Sequence, residues 1–273
     1  MRTALTMIEL IFVIVILGIV ASIGAEIIAQ TYESYIVQRA QYRATSKSEF
    51  ALNEIANRLR YAIPGTVGFR ATTSSSFNLI TEPNTGNDKV LQWVGYDGDS
   101  FEAINSSVSS GNARRPGWSG FCDIDAYSGS TSLPTPGSNL DLATTIISNL
   151  GGNIANAVIY FPDGSNYGIA SGSGESFTLD SAIPSGKRIF ERYKLAWSSY
   201  ALSVENGDLY LYYNFTPTIG AALGNQKSLL LKNISNFRFK GSEGSLRIKI
   251  CKTEWIDSNT SDPIRACKEK VIF

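Results

Sequence analysis

Apolar residues run almost without a break from Leu5 to Ala25, where the only polar side chains are Thr6, Glu9 and Ser22. About 21 helical residues at ~1.5 Å each span roughly 30 Å, the thickness of a hydrocarbon core, so residues 5–25 are predicted to form a membrane helix. From residue 26 the pattern changes to a one-sided stripe. Leu52, Ile55, Ala56, Leu59, Ala62 and Ile63 recur at helical period, while Asn53, Glu54, Asn57, Arg58 and Arg60 take the other face. Pro64-Gly65 ends the stripe, and no proline interrupts the chain before it. The prediction is one helix of up to ~59 residues, ~90 Å if unbroken, whose amphipathic second part (residues 26–63) packs against a sheet.

Beyond Pro64 the period shortens to two. Residues 77–80, 90–94 and 100–104 alternate or run apolar, with Gly86-Asn87 and Asp97-Gly98 as turns between them, a pattern that predicts an antiparallel meander. Residues 111–138 are rich in Gly, Ser and Pro and read as a long exposed loop that carries Cys122. Residues 141–150 read as a short helix with Asp141 near its start and Gly151-Gly152 at its stop. Further strands are expected at 158–161, 176–179, 194–197, 200–204 and 209–213, the last two joined by a hairpin turn at Asn206-Gly207. Residues 236–240 and 246–250 alternate strictly and are expected to close the sheet. The fold class is therefore α+β: a long N-terminal helix on an antiparallel β-rich head, residues 64–273.

Composition narrows the chemistry. The chain has 273 residues and no histidine, which excludes Ser-His-Asp and Cys-His nucleophile arrangements and His-containing zinc sites. No phosphate-loop motif is present, so the chain is not expected to be an enzyme. The formal net charge is zero, but residues 71–186 hold three basic against eleven acidic side chains and residues 227–273 ten basic against five acidic. Such a division suits docking between unlike surfaces, and equally two solvated faces of different sign.

Glu9 stands apart. An ionised carboxylate at membrane depth costs at least ~2.5 kcal/mol and calls for a partner, for which a free α-amino group is suited. Arg2 and the amino terminus are positive, whereas Glu26 and Glu33 precede Arg39, so the body of the protein is expected on the outer side of the membrane. Cys251 and Cys267 flank a 15-residue stretch with strand-like sequence on both sides, and a hairpin would set them opposite each other. That pairing is the expected disulfide; Cys122 is the third cysteine, and on sequence it could displace either partner, stay free or bond another chain. Asp123, Asp125 and the run 257–262 offer oxygen ligands of the kind calcium takes without completing a calcium loop, and no cofactor is expected. Arg238, Lys240, Arg247 and Lys249 alternate with apolar residues and fall on one strand face, where phosphate contacts with DNA or a solvated, aggregation-resistant edge are the two readings.

The stretch Ala4-Leu5-Thr6-Met7-Ile8-Glu9-Leu10 resembles the cleavage and methylation signal of type IV pilins and type II secretion pseudopilins. That resemblance implies a leader of residues 1–4, a cut by prepilin peptidase between Ala4 and Leu5, N-methylation of Leu5, and pairing of Glu9 with the amino terminus of a neighbouring subunit during assembly. Ala4 stands where the family usually has Gly, and Leu5 where it usually has Phe. The helix end at 52–63 and the late run Leu229-Leu-Leu-Lys-Asn-Ile-Ser-Asn-Phe-Arg-Phe239 are similar to those of J-type minor pseudopilins and W-type minor pilins. The implied role is a minor structural subunit of a pilus-like or type II secretion filament that serves secretion, adhesion or DNA uptake. Its implied partners are other pilin subunits, prepilin peptidase, the inner-membrane assembly platform and lipid. Asp257-Ser-Asn259-Thr-Ser261 also fits a bacterial N-glycosylation acceptor at Asn259. The alternative is a bitopic, membrane-anchored adhesin or binding domain that does not polymerise; a secretory signal would instead be cut near Ala25.

Overall fold

The computed structural model describes residues 7–81, 88–104, 114–242, 244–256 and 263–272. Its N-terminal element is one uninterrupted helix, α1 (Met7–Leu59), of 53 residues, ~80 Å long. No side chain of α1 before Ala40 is buried. From there Ala40, Ala44, Ser48, Ala51, Leu52, Ile55, Ala56 and Leu59 form the buried face. The stripe visible in the sequence from Leu52 onward thus extends three turns further towards the N-terminus through small residues. Small side chains let a helix and a sheet approach closely, and the buried Ser48 hydroxyl is satisfied by donating to the Ala44 carbonyl at 2.8 Å.

Fourteen strands among the described residues follow, every ladder antiparallel. The first lobe holds β1 (Gly68–Arg70), β2 (Asn78–Leu79), β3 (Val90–Gly95), β9 (Ser198–Glu205), β10 (Asp208–Phe215) and β11 (Lys227–Leu231), in the order β11-β10-β9-β3-β1-β2. A separate three-stranded sheet, β12-β13-β14, is made of β12 (Ile234–Ser242), β13 (Ser245–Glu254) and β14 (Ile264–Ile272). Residues 236–240 and 246–250 are strands as expected, but they do not close the main sheet. They form this second sheet, which shares one core with α1: Leu52, Ile55 and Leu59 pack with Leu91 and Trp93 from one sheet and with Ile248 and Ile250 from the other. Polar pins fasten α1 to β14 at its edge, with Lys270 Nζ donating to Asn53 at 2.7 Å and Lys268 3.6 Å from Glu49.

The β9–β10 turn is as predicted. Asn206 and Gly207 both have positive φ, 51° and 83°, the requirement of the tight turn whose twist matches a hairpin.

A second lobe is inserted between β3 and β9. It contains α2 (Gly98–Glu102), α3 (Leu140–Asn149) and a five-stranded sheet in the order β4-β7-β6-β5-β8, from β4 (Ser132–Pro134), β5 (Val158–Tyr160), β6 (Asn166–Ser173), β7 (Ser176–Leu179) and β8 (Lys194–Ala196). Its own core is built on Leu133, Leu140, Ile147, Ile159, Phe177 and Leu195. The lobes meet just past the end of α1, where Ile63 and Val94 pack against Val158, Tyr160 and Ala196. The buried Tyr160 hydroxyl donates to the Pro217 carbonyl across that seam at 2.8 Å.

Three expectations fail in this lobe or beside it. The stretch 100–104 is not a strand, because Asp97 caps a helix: its Oδ1 accepts from Ser100 N at 3.1 Å. Burial pushes the Asp97 carboxyl above its ordinary range, and the Ser100 hydrogen bond offsets only part of that. The segment 111–138 is not a long exposed loop in its described part, since Trp118, Cys122, Leu133, Thr135 and Ser138 are buried in it and β4 lies within it. Strands β6 and β11 carry no clear alternation and were not expected; β6 is largely Gly, Ser and Asn.

Candidate functional site

The site singled out by the sequence is the free half of α1. Glu9 lies in its first turn. Around and beyond it Leu10, Ile11, Phe12, Val13, Ile14, Val15, Ile16 and Leu17 are each more than half exposed. This is the one helix among the described residues that is long and apolar enough, by length and composition, to cross a membrane. Its apolar surface runs all round the helix rather than along a stripe, the pattern of an element surrounded by lipid or by other apolar helices. A continuous backbone couples this segment to the head, because the same helix is locked into the first-lobe core from Ala40 onward. Ala4 and Leu5, the expected cleavage and methylation positions, lie outside the described residues.

The cysteines sort cleanly. Cys251 and Cys267 face each other in the β13–β14 register and are disulfide-bonded. Cys122 is a buried free thiol in the other lobe, donating to the Phe190 carbonyl at 2.9 Å. Burial pushes its thiol up to about 11, so it is a packed, unreactive group. The disulfide closes the hairpin that holds β14 on α1. Replacing both Cys251 and Cys267 with serine is expected to lower unfolding stability by about 3 kcal/mol, the entropy of a loop of this size. Denaturant titration of the oxidised wild type beside the double variant measures it, and equal midpoints would refute it.

The four alternating cations do share one face. Arg238 is opposite Lys249 and Lys240 opposite Arg247 in the β12–β13 ladder, all four exposed. A carboxylate interrupts the patch: Glu269 sits opposite Lys249 and pairs with Arg247 at 3.2 Å. Asp123 and Asp125 are exposed, and the Asp123 Oδ1 is taken by the Ala126 amide at 3.0 Å, a turn contact. No cluster of three potential metal ligands occurs among the described residues. Asn259 and the acidic run around it lie outside them.

The structure adds two polar features that no sequence pattern marked. Arg70 is a buried cation neutralised by oxygen dipoles: it donates to the Gln92 side chain at 2.9 Å and to the Ser75, Gly220 and Ala221 carbonyls. It thereby ties the 216–224 segment to β1. In the second lobe, Thr135 links the buried Tyr193 hydroxyl and Ser138 at 2.6 and 2.8 Å. Both arrangements satisfy buried groups and serve packing.

No family of known proteins, no curated protein and no solved structure matches this chain.

Proposed function

We propose that the chain is a minor pilin or pseudopilin, a structural subunit of a type IV pilus-like or type II secretion filament. The observation that carries this reading is the division of α1. Its first half is exposed apolar helix with one carboxylate in the first turn, and its second half is built into the core of the head. A lone anchor has no use for a charge at that depth, whereas helices that bundle with their own kind can pair it with a neighbour's amino terminus. The proposed orientation puts the head outside the cytoplasm, with the inner membrane, other pilin subunits, prepilin peptidase and the assembly platform as partners.

Processing supplies the direct test. The mature chain is expected to begin at Leu5 with a methylated amino group, read by mass spectrometry of the membrane-extracted protein. A mature start near Glu26 would identify an ordinary secretory signal and refute the reading.

A further inference from the structure

Just past the end of α1, at the opposite end of the molecule from Glu9, the second lobe carries an open cleft of about 480 Å³. Tyr96, Phe101, Trp118, Phe121, Tyr160 and Phe161 supply aromatic lining. Phe101 and Trp118 pack with their rings tilted at 4.7 Å between centroids, with the Tyr96 ring edge-on to Trp118 at 6.3 Å. Phe101 and Phe121 are 43% and 47% exposed, an apolar mouth rather than a closed core.

Two cations stand in the wall. Arg192 and Lys194 are two residues apart on one extended segment, so their side chains leave the same side roughly 7 Å apart. The Arg192 guanidinium lies over the Phe121 ring at 5.4 Å and the Lys194 ammonium over the Tyr96 ring at 4.8 Å. Among the described residues neither has a carboxylate or hydrogen-bond partner. Lys194 is half-buried, and burial alone lowers its pKa. A half-buried ammonium set over the Tyr96 ring without a carboxylate beside it is incompletely compensated, and an anion brought into the cleft would meet both it and the guanidinium. Among the described residues no other charged side chain lines the cleft.

We propose that this cleft binds a polypeptide segment that places an aromatic side chain beside a carboxylate, the ring entering among Phe101, Trp118 and Phe121 and the carboxylate meeting Arg192 and Lys194. The open mouth suits a side chain presented by a chain that continues past the cleft, and the two unmatched cations set the sign of the group beside it. The proposal stands on the cleft's own chemistry and is independent of whether the protein polymerises.

The full chain in lipid nanodiscs would be titrated with three blocked tetrapeptides, acetyl-Ala-Phe-Asp-Ala-amide, acetyl-Ala-Phe-Asn-Ala-amide and acetyl-Ala-Ala-Asp-Ala-amide, and binding read from broadening of the peptide proton signals. The Phe-Asp peptide is expected to bind about tenfold more tightly than either of the others. Lys194→Met should remove the preference for Asp over Asn and keep the preference for Phe over Ala. Arg192→Gln, at an exposed position, repeats the charge test should the first variant fold poorly. Equal binding of the Asp and Asn peptides would mean a merely apolar cleft and would overturn the proposal. So would no binding by any peptide up to about 10 mM, or a folded Lys194→Met chain that still discriminates.

Discussion

Glu9→Leu is expected to insert in the membrane and to be cleaved normally, yet to be absent from filaments and from crosslinks to pilin partners. In an apolar helix bundle the wild-type carboxylate would compensate the amino terminus of a neighbour. The variant strands that terminus as an uncompensated charge, a loss on the order of 3–5 kcal/mol per pair broken from one side. Repeated at each contact, that loss is enough to prevent association. A bitopic anchor makes the opposite prediction, because removing a carboxylate from lipid gains about 2.5 kcal/mol or more and disturbs nothing else. Carbonate extraction tests insertion, mass spectrometry tests processing, and crosslinking followed by blotting tests assembly. Normal co-assembly of Glu9→Leu would count against the filament reading altogether.

The second large effect belongs to the head. Ile55 is 1% exposed, within the core that α1 shares with both first-lobe sheets. Ile55→Ala removes buried carbon and leaves a cavity whose walls are a rigid helix and two hydrogen-bonded sheets, so the expected cost is about 2–5 kcal/mol. Against a typical total of roughly 5–15 kcal/mol, that is a large share. Phe50, five positions earlier on the same helix, is 79% exposed, and Phe50→Ala is expected to change stability by less than ~0.5 kcal/mol. Denaturation followed by tryptophan fluorescence is a suitable measurement, because Trp93 lies in the same core at 1% exposure. Equal midpoints for the two variants would mean that this face of α1 does not hold the head together.

What the sequence made legible follows from how periodic each signal is. The helix was readable because its two patterns, continuous apolar and then one-sided, last for many turns. Ala40, Ala44 and Ser48 escaped because a buried face made of small residues has almost no hydrophobic amplitude. The alternation of Ser100-Phe101-Glu102-Ala103-Ile104 fitted a strand, but five residues cannot outweigh one capping aspartate placed just before them. The Gly, Ser and Pro of 111–138 predict a long exposed loop, whereas Trp118 and Cys122 are buried in the second-lobe core. The Cys251–Cys267 pairing was legible because hairpin register is local. The two-lobe arrangement was not, because it depends on β3 finding β9 across a long intervening sequence. For the same reason no sequence pattern marks Arg192 and Lys194: the aromatic residues around them come from distant parts of the chain.

The insertion of the second lobe between β3 and β9 also bears on the order of folding. Gly95 and Ser198 are directly opposed in the ladder, so roughly 100 residues must be looped out before the two central strands of the first lobe can pair, an entropic toll that grows with the logarithm of that length. A lobe with its own core that folds first brings those two ends together in advance and turns a distant encounter into a local one. Nascent chain emerging from the ribosome would then acquire its distal lobe before the platform that carries it, and the long helix, although made first, would dock last, once β13 and β14 have been synthesised.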